Sequence, residues 1–447
     1  MMSIVRDIER QRTLLENAAS QVLDLIHTKS DEAEVIITKT IGININTRCG
    51  ELESMEYIND GNLEVIVYCQ HCKGSASSNN INFKAISNTV NAALNIARYT
   101  FSDLCLGIAN KKLLAFHALD LDLFHPIELN VSQGISLAST AELIALKQDK
   151  RIIYSEGGSF NSYYNIRVFG NSHGMLQSYN SSKYVLSCCV IAESNGSMER
   201  DYSYTIGRSF KDLRSPQSVG ADCAERVLKR LNSRKLPTME SPVIFISEIA
   251  INLFNCLAQA INGNNIYRKS TFLSDYLEKK IFPDWLSIKE KPHIPKGLGS
   301  SPFDDEGVRT CDRVIVRKGV LQTWLLNTYT ACKLNLQNTG HSNGIYNWYI
   351  SYKNISFLKL VAKMYRGLVI TELIGQGINI LTGDYSRGVS GFWVEYGEIQ
   401  YPVSEITVAG NLKEMFSSII CISDDIEKRS NIHCGSVLLS SMKIAGQ

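Results

Sequence analysis

Histidine is scarce and scattered in this chain: there are 8 among 447 residues, the closest two are His117 and His125, and none is followed by glutamate. A zinc peptidase needs closely placed ligands to hold an acidic metal-bound water, and a carboxylate to take its proton. No compact set in the sequence supplies them. Long apolar runs are missing as well. The longest, around "PVIFISEIAINLF", is interrupted by Glu248 and falls short of the roughly 18 to 20 residues a membrane span requires. Arg6, Asp7, Glu9 and Arg10 stand where a secretory signal needs an uninterrupted apolar segment. A cytoplasmic protein with no membrane contact is therefore expected. Dense basic runs are absent and the formal net charge is only +2, which argues against the clustered phosphate contacts of nucleic-acid binding. No nucleic-acid partner is expected.

What is present suits a folded chain, with 44% hydrophobic against 20% charged residues. The length exceeds what one hydrophobic core usually serves. In a reducing compartment the 12 cysteines are expected to be mostly thiols, packed as small apolar side chains.

Residues 4 to 27 place Ile4, Ile8, Leu15, Ala18, Val22 and Leu25 at mostly helical spacing, predicting an amphipathic opening helix. Alternation at Ile41, Ile43 and Ile45, then loosely at Leu52, Met55 and Tyr57, followed by a turn at "NDGN" and by "LEVIVY", reads as consecutive antiparallel strands. "FKAISNTVNAALNIARY" returns to the helical period with Ile86, Val90, Ala93, Leu94 and Ala97 on its buried side. Another helix is predicted across residues 132 to 147. The strands "RIIYSEGGSF", "YNIRVFG" and "KYVLSCCVIAES" follow, then a helix from about Ser218 to Leu231. The proline and polar content of "NSRKLPTMESP" marks a linker. Beyond it, "RVIVRKGVLQTWLL" reads as a hairpin turning at Lys318 and Gly319, and "SGFWVEYGEIQYPV" as another. The fold class is α+β, with mainly antiparallel sheets and flanking helices, an N-terminal α/β half and a C-terminal β-rich half. Three units are expected: an N-terminal α+β module over 1–120, a central module over 121–239 and a C-terminal β-rich domain over 240–447.

Several short patterns suggest chemistry. Gly170-Asn171-Ser172-His173-Gly174 matches the G-x-S-x-G nucleophile elbow, in which a strand turns sharply into a helix. Here strand-forming sequence follows, so a hairpin turn is the reading. Cys69-Gln70-His71-Cys72 offers half a zinc site or a redox pair, but no second close pair completes four ligands, and the adjacent Cys188 and Cys189 point to opposite faces of a strand. "LDLDLFH" carries Asp120, Asp122 and His125, whose alternation with Leu119, Leu121 and Leu123 suggests solvated acids on a half-buried strand. "ELIGQGIN" holds only Gly375 and Gly377, short of a dinucleotide fingerprint.

Longer segments carry a family resemblance. "IYRKSTF", "SPFDDEGVRT", "TGDYSRGVSGFWVEYGEIQYPVSEITVAGNL" and "NIHCGSVLLSSMKIAGQ", with "LESMEYINDGNLEVIVY", "KGSASSNN", "LDLDLFHP" and "FGNSHGML" before them, resemble the TldD/TldE (PmbA/TldD) metalloprotease family on its TldE side. The likeness runs over nearly the whole chain from about residue 33. It implies a cytosolic two-subunit metalloprotease that cleaves small or unfolded peptides, including peptide-antibiotic precursors and labile antitoxins. Zinc is then expected in a TldD-like partner, held by an H-E-x-x-x-H motif and a distant cysteine of a Cys-Gly pair. Anchored on Arg268 and Lys269, the resemblance places Asn255, Cys256 and Ala260 where the partner's histidine, glutamate and second histidine fall. Cys434 and Gly435 match the Cys-Gly pair. Cys434 thus occupies a ligand position without the other ligands, and this chain is expected to carry no catalytic residue, no metal and no cofactor of its own. Its implied role is to shape the substrate tunnel, with glycine-rich loops such as "GDYSRGVSG" and "HSNGIYNW" as wall elements. Two other readings are a self-sufficient hydrolase using Ser172 or a cysteine, and a non-enzymatic binding protein such as a DNA gyrase modulator.

Overall fold

The computed structural model describes residues 4–446. The first half is one six-stranded antiparallel sheet. Helix α1 (Ile4–Ile26) leads into β1 (Glu32–Arg48), β2 (Glu51–Cys69), β3 (Cys72–Ser78) and α2 (Phe83–Tyr99). After an irregular stretch come α3 (Val131–Gln148), β4 (Ile152–Asn171), β5 (Leu176–Ser194), β6 (Ser197–Gly207) and α4 (Pro216–Arg230). The strand order is β3-β2-β1-β4-β5-β6, so β1 and β4 join the early and later strands into one surface. The four helices share one apolar core on a single face of this sheet. Ile8, Leu15, Ala18 and Val22 of α1 are buried there, as are all five periodic positions of α2. Asn82 starts α2 by accepting a hydrogen bond from Ala85 N, and Asn130 and Gln133 form a reciprocal capping box on α3.

The second half begins with β7 (Met239–Phe245), α5 (Ser247–Ala260) and α6 (Gly263–Tyr267), followed by β8 (Ile288–Glu290), β9 (Arg313–Arg317), β10 (Val320–Leu321), α7 (Thr328–Leu334) and β11 (Trp348–Ile350). Helix α8 (Phe357–Met364), β12 (Gly367–Ile374), β13 (Asp384–Glu395), β14 (Glu398–Asn411), α9 (Leu412–Ser417), β15 (Ile419–Ile422), β16 (Ile432–His433) and β17 (Val437–Ala445) complete it. A six-stranded sheet runs β14-β13-β12-β7-β17-β15, and β14 also pairs with β17, bringing the sheet round on itself. A smaller sheet runs β10-β9-β8-β11-β16. The pairs β7/β12 and β11/β16 are parallel, and the other strand pairs are antiparallel. The hairpins turn at Lys318-Gly319 and Tyr396-Gly397, where both residues of each pair have positive φ.

Three sequence expectations are corrected. "NDGN" is not a turn: β2 runs straight through it, with Asp60 opposite Thr40 and Gly61 opposite Lys39, and the chain reverses at Cys49-Gly50 instead. "RIIYSEGGSF" and "YNIRVFG" are one 20-residue strand, because the glycine step at Gly157 (φ 118°) is absorbed as a bulge rather than a break. "LDLDLFH" is irregular chain, not strand; Asp122 has φ 53°, and Leu121 and Leu123 are buried while Leu119 is exposed. Of the cysteines, Cys105 and Cys332 are disulfide-bonded across the two halves, and the other ten are free thiols.

Besides the disulfide and its neighbouring contacts of Asp103 with Tyr329 and Lys333, two seams between the halves are organised by acids. In the first, the 301–310 loop packs on the sheet face opposite the helices. Phe303 packs tilted against Phe169 and edge-to-face against Tyr179, Ala115 N donates to Gly307 O at 3.0 Å, and Arg167 pairs with Asp305. Asp304 organises this loop by accepting hydrogen bonds from the backbone amides of Glu306, Val308 and Ser342. Burial, reinforced by Glu306, nevertheless pushes its carboxyl up to about 7. Glu34 of β1, wholly buried and facing Glu306 and Asp304, is raised well above the ordinary carboxylate range by burial first and by those acids second; its Oε1 has no hydrogen-bond partner.

In the second seam, Glu248 in the first turn of α5 receives both Nη1 contacts of Arg226 on α4, at 2.8 and 2.9 Å, and pairs with Arg429 from the segment before β16. Burial alone would raise Glu248, but the two guanidinium groups outweigh it and hold the carboxyl below its usual value. Arg429 also pairs with Glu427, lies over the Tyr204 ring at 4.5 Å and donates to Tyr204 O.

These seams titrate in opposite senses. The raised carboxyls of Glu34 and Asp304 stabilise the fold most below the ordinary carboxylate range near 4; the contribution of Asp304 is lost as pH rises through about 7, and that of Glu34 is lost in the same sense as pH rises through its own raised value. Glu34→Gln is therefore expected to raise the melting midpoint at pH 8 by about 2 °C and to change it little at pH 5; thermal melts across that range check this. Glu248 behaves in reverse, because its depressed carboxyl stabilises above the ordinary value and is lost as acid titrates it. Glu248→Gln is expected to cost about 2 kcal/mol at neutral pH, with a difference from the unaltered chain that closes towards pH 3 in denaturant titrations.

Candidate functional site

Strand β7 turns directly into α5: Ile246 N donates to Ile370 O at 3.2 Å, and the helix begins at the next residue. Helix α5 carries the three positions matched to the partner's metal motif. Asn255 is half-buried, while Cys256 and Ala260 face the core of the second half. Cys434, just past β16, is wholly buried in that same core, and α5 packs against β16. Its Sγ lies 3.1 Å from Gly435 O, and burial, aided by Asp425, pushes the thiol well above its ordinary value. A Cβ on Gly435 would stand 1.9 Å from Ser423 O, so glycine is required there by contact. The neighbouring His433 lies flat against Tyr349, ring centroids 4.6 Å apart. The structure thus brings Cys434 and α5 into one core, but the residues do not fit a zinc ion. Ala260 has no donor atom, and burial pushes the Cys256 thiol up to about 11. Among the described residues no group of three or more His, Cys, Asp or Glu side chains is placed to hold a metal.

Beside α5 lies a cleft of about 280 Å³ between the two halves. Tyr202 and Tyr204 of β6 and Arg226 and Arg230 of α4 form one wall, and Asn252 of α5 and Thr371 to Leu373 of β12 the other. Strand β12 pairs with β7 only through Ile370. Beyond that point it has β13 on one side, with a bulge at Thr371, and no strand among the described residues on the other. Residues 371–373 therefore present a free backbone edge to the cleft. The charges around it are mutually engaged: Arg226 pairs with Asp201 and Glu248, and Arg230 with Glu199, Asp201 and Glu372. This arrangement suits binding of an extended chain. Raised thiols such as Cys256 are poor nucleophiles at neutral pH.

The other sequence candidates lie apart from the cleft. Ser172 sits in the β4–β5 hairpin turn; its Oγ accepts from Ala33 N and its own amide donates to Ala33 O. Cys69 and Cys72 are opposite each other in the β2–β3 hairpin, with Gln70 and His71 at positive φ between them. Asp120 and Asp122 line a separate cavity against α1, and His125 Nε2 lies 3.1 Å from Asp122 Oδ1. Gly375 and Gly377 follow β12 without a helix. Sequence reasoning missed the cleft itself, whose residues run from 201 to 387. Its one linear signal was Glu248, a lone acid inside an apolar stretch.

Comparison with known proteins agrees with this architecture. Residues 33–97, 124–231 and 238–446 match, in order, the PmbA/TldA metallopeptidase domain 1, central domain and C-terminal domain. Metalloprotease PmbA of Escherichia coli O157:H7 is 58% identical over 446 residues, spanning 100% of this chain and 99% of that one. A Metalloprotease PmbA homolog of Haemophilus influenzae is 49% identical over 98% of each chain. In three dimensions the chain superposes with a TM-score of 0.91 on a Bacteroides thetaiotaomicron protein named as a candidate modulator of DNA gyrase, at 26% identity over 96% of this chain and 98% of that one. TldE from Thermococcus kodakarensis, at 18% identity over 96% of this chain and 100% of that one, shares the fold with a TM-score of 0.79. No described helix is long and apolar enough to cross a membrane. The chain belongs to the PmbA/TldD metallopeptidase family.

Proposed function

We propose that this chain is the zinc-free subunit of a two-subunit metalloprotease, shaping the passage through which small or unfolded peptides reach zinc in a TldD-like partner. The observation that carries this is the pairing of a disabled centre with an intact groove. Asn255, Cys256 and Ala260 occupy α5 beside a buried Cys434, while the adjoining cleft is lined by the free edge of Thr371–Leu373. Metal hydrolysis would then belong to the partner, and the chemistry here is recognition. An extended backbone added to a sheet edge is held by its amides and carbonyls whatever its side chains are, and folded proteins are excluded by the narrowness of the cleft. Peptide-antibiotic precursors and labile antitoxins are substrates of this kind. A second reading, a non-enzymatic modulator of DNA gyrase, is favoured only by the names of two structural relatives; it requires binding to gyrase with no peptide cleavage.

Co-expression with a TldD-like subunit, native mass measurement and zinc assay test the proposal. The isolated chain is expected to hold no stoichiometric zinc and to cleave nothing, and the assembled pair to carry zinc and chelator-sensitive peptidase activity. Tightly held zinc with hydrolysis in the isolated chain would sink it. If the strand edge binds substrate, N-methylation of alternate backbone amides in a test peptide should weaken cleavage by the pair about tenfold or more, each lost hydrogen bond contributing roughly 1 kcal/mol. Changing side chains at the same positions should matter less.

A further inference from the structure

The cleft holds one guanidinium that no carboxylate answers. Glu248 is claimed by Arg226 and Arg429, Asp201 by Arg226 and Arg230, and Glu372 by Arg230. Arg387, projecting from β13 and lining the same cleft, makes no ion pair among the described residues. Its Nε is buried without a hydrogen-bond partner. So is the hydroxyl of Tyr385, a residue only 1% exposed, on the same strand. Arg387 stands close to both Tyr385 and Cys256, since its charge opposes the rise that burial imposes on each.

An arginine cannot shed its proton to escape burial, and unsatisfied donors on a partly desolvated cation are costly. Arg226, Arg230 and Arg429 are already shared among Asp201, Glu199, Glu248, Glu372 and Glu427, so Arg387 is the cleft guanidinium whose fork is left without a direct carboxylate partner among the described residues. Its planar fork matches a carboxylate in two-pronged geometry. We infer that the Arg387 end of the cleft is a carboxylate-binding site, which anchors one end of a peptide lying along Thr371–Leu373. The carboxylate comes either from the peptide's C-terminus or from an acidic side chain. This rests on the reading of the cleft as a peptide groove. It adds a polarity and a chemical preference that backbone pairing alone does not supply.

The test is direct binding, by fluorescence anisotropy at fixed ionic strength, of labelled eight-residue peptides to the isolated chain and to the assembled pair. One comparison sets a free C-terminal carboxylate against the amide, and another sets an internal aspartate or glutamate against asparagine or glutamine. One acid form is expected to bind about ten- to a hundredfold more tightly than its neutral counterpart, and the comparison in which this occurs identifies the source. Arg387→Gln should abolish that discrimination, and Arg387→Lys should restore only part of it. Equal binding of acid and neutral peptides to the unaltered chain overturns the carboxylate site while leaving the groove intact. Discrimination that survives in Arg387→Gln overturns the assignment to Arg387. Absence of binding by any peptide, to chain or pair, overturns both the site and the groove. Because the first comparison uses unaltered protein, it stands even if a variant folds poorly.

Discussion

The carboxylate of Glu248 is the tie on which the arrangement depends. It joins α4 of the first half, α5 of the second and the segment that leads into Cys434, through Arg226 on one side and Arg429 on the other. Removing two cations and an anion from water is costly, and only mutual pairing with good geometry recovers that cost. Such a cluster does not by itself favour folding strongly over an apolar packing of the same volume; it fixes which surfaces face each other. Once α4 and α5 are set in register, the cleft between them has a defined width, and the free edge of β12 forms part of its lining.

The 301–310 loop does the complementary work at the other seam. Its own shape comes from Asp304, which gathers three backbone amides. Its hold on the sheet comes from Phe303 among aromatic rings. Gly307, at φ 72°, leaves no room for a side chain, since a Cβ would stand 2.4 Å from the Phe169 ring. The segment "SPFDDEGVRT", which helped carry the family resemblance, is thus a docking element between the halves. One seam is held by charge and the other by aromatic packing around buried acids.

Much of the fold was legible in the chain. The period of α2 named its buried face correctly because five apolar residues recur along one side of a helix, and positive φ at Lys318-Gly319 follows from the kind of turn a short hairpin needs. The failures share a cause. "NDGN" has turn chemistry, but its residues pair across a long ladder with 38 to 41, and the ladder's hydrogen bonds override a local preference. Gly157 is likewise carried through β4 by its pairing with Cys189 of β5, while the next residue, Gly158, pairs with Thr47 of β1. "LDLDLFH" alternates like a strand but has no ladder to join, so its leucines are buried without one. For the site, Cys434 and the α5 positions were located by resemblance, not by spacing. The cleft was invisible because β6, α4, α5, β12 and β13 contribute to it from widely separated stretches of chain. Arg387 looks like any other strand arginine until its neighbours' partners are counted.

The order of strands in the second half has a consequence for how the molecule is made. In the first half, apart from the β1/β4 join, each strand lies beside one that is next to it in sequence, and the sheet grows hairpin by hairpin. Strand β7 is different: its two neighbours are β12 and β17, so Val243 waits for Leu368 on one side and Leu439 on the other. Contacts so distant along the polypeptide form slowly, and only after the ribosome has released nearly all of the chain. The N-terminal sheet can therefore pair strand by strand as it is made, while β7 stays without either of its neighbours until β12 and then β17 have left the ribosome.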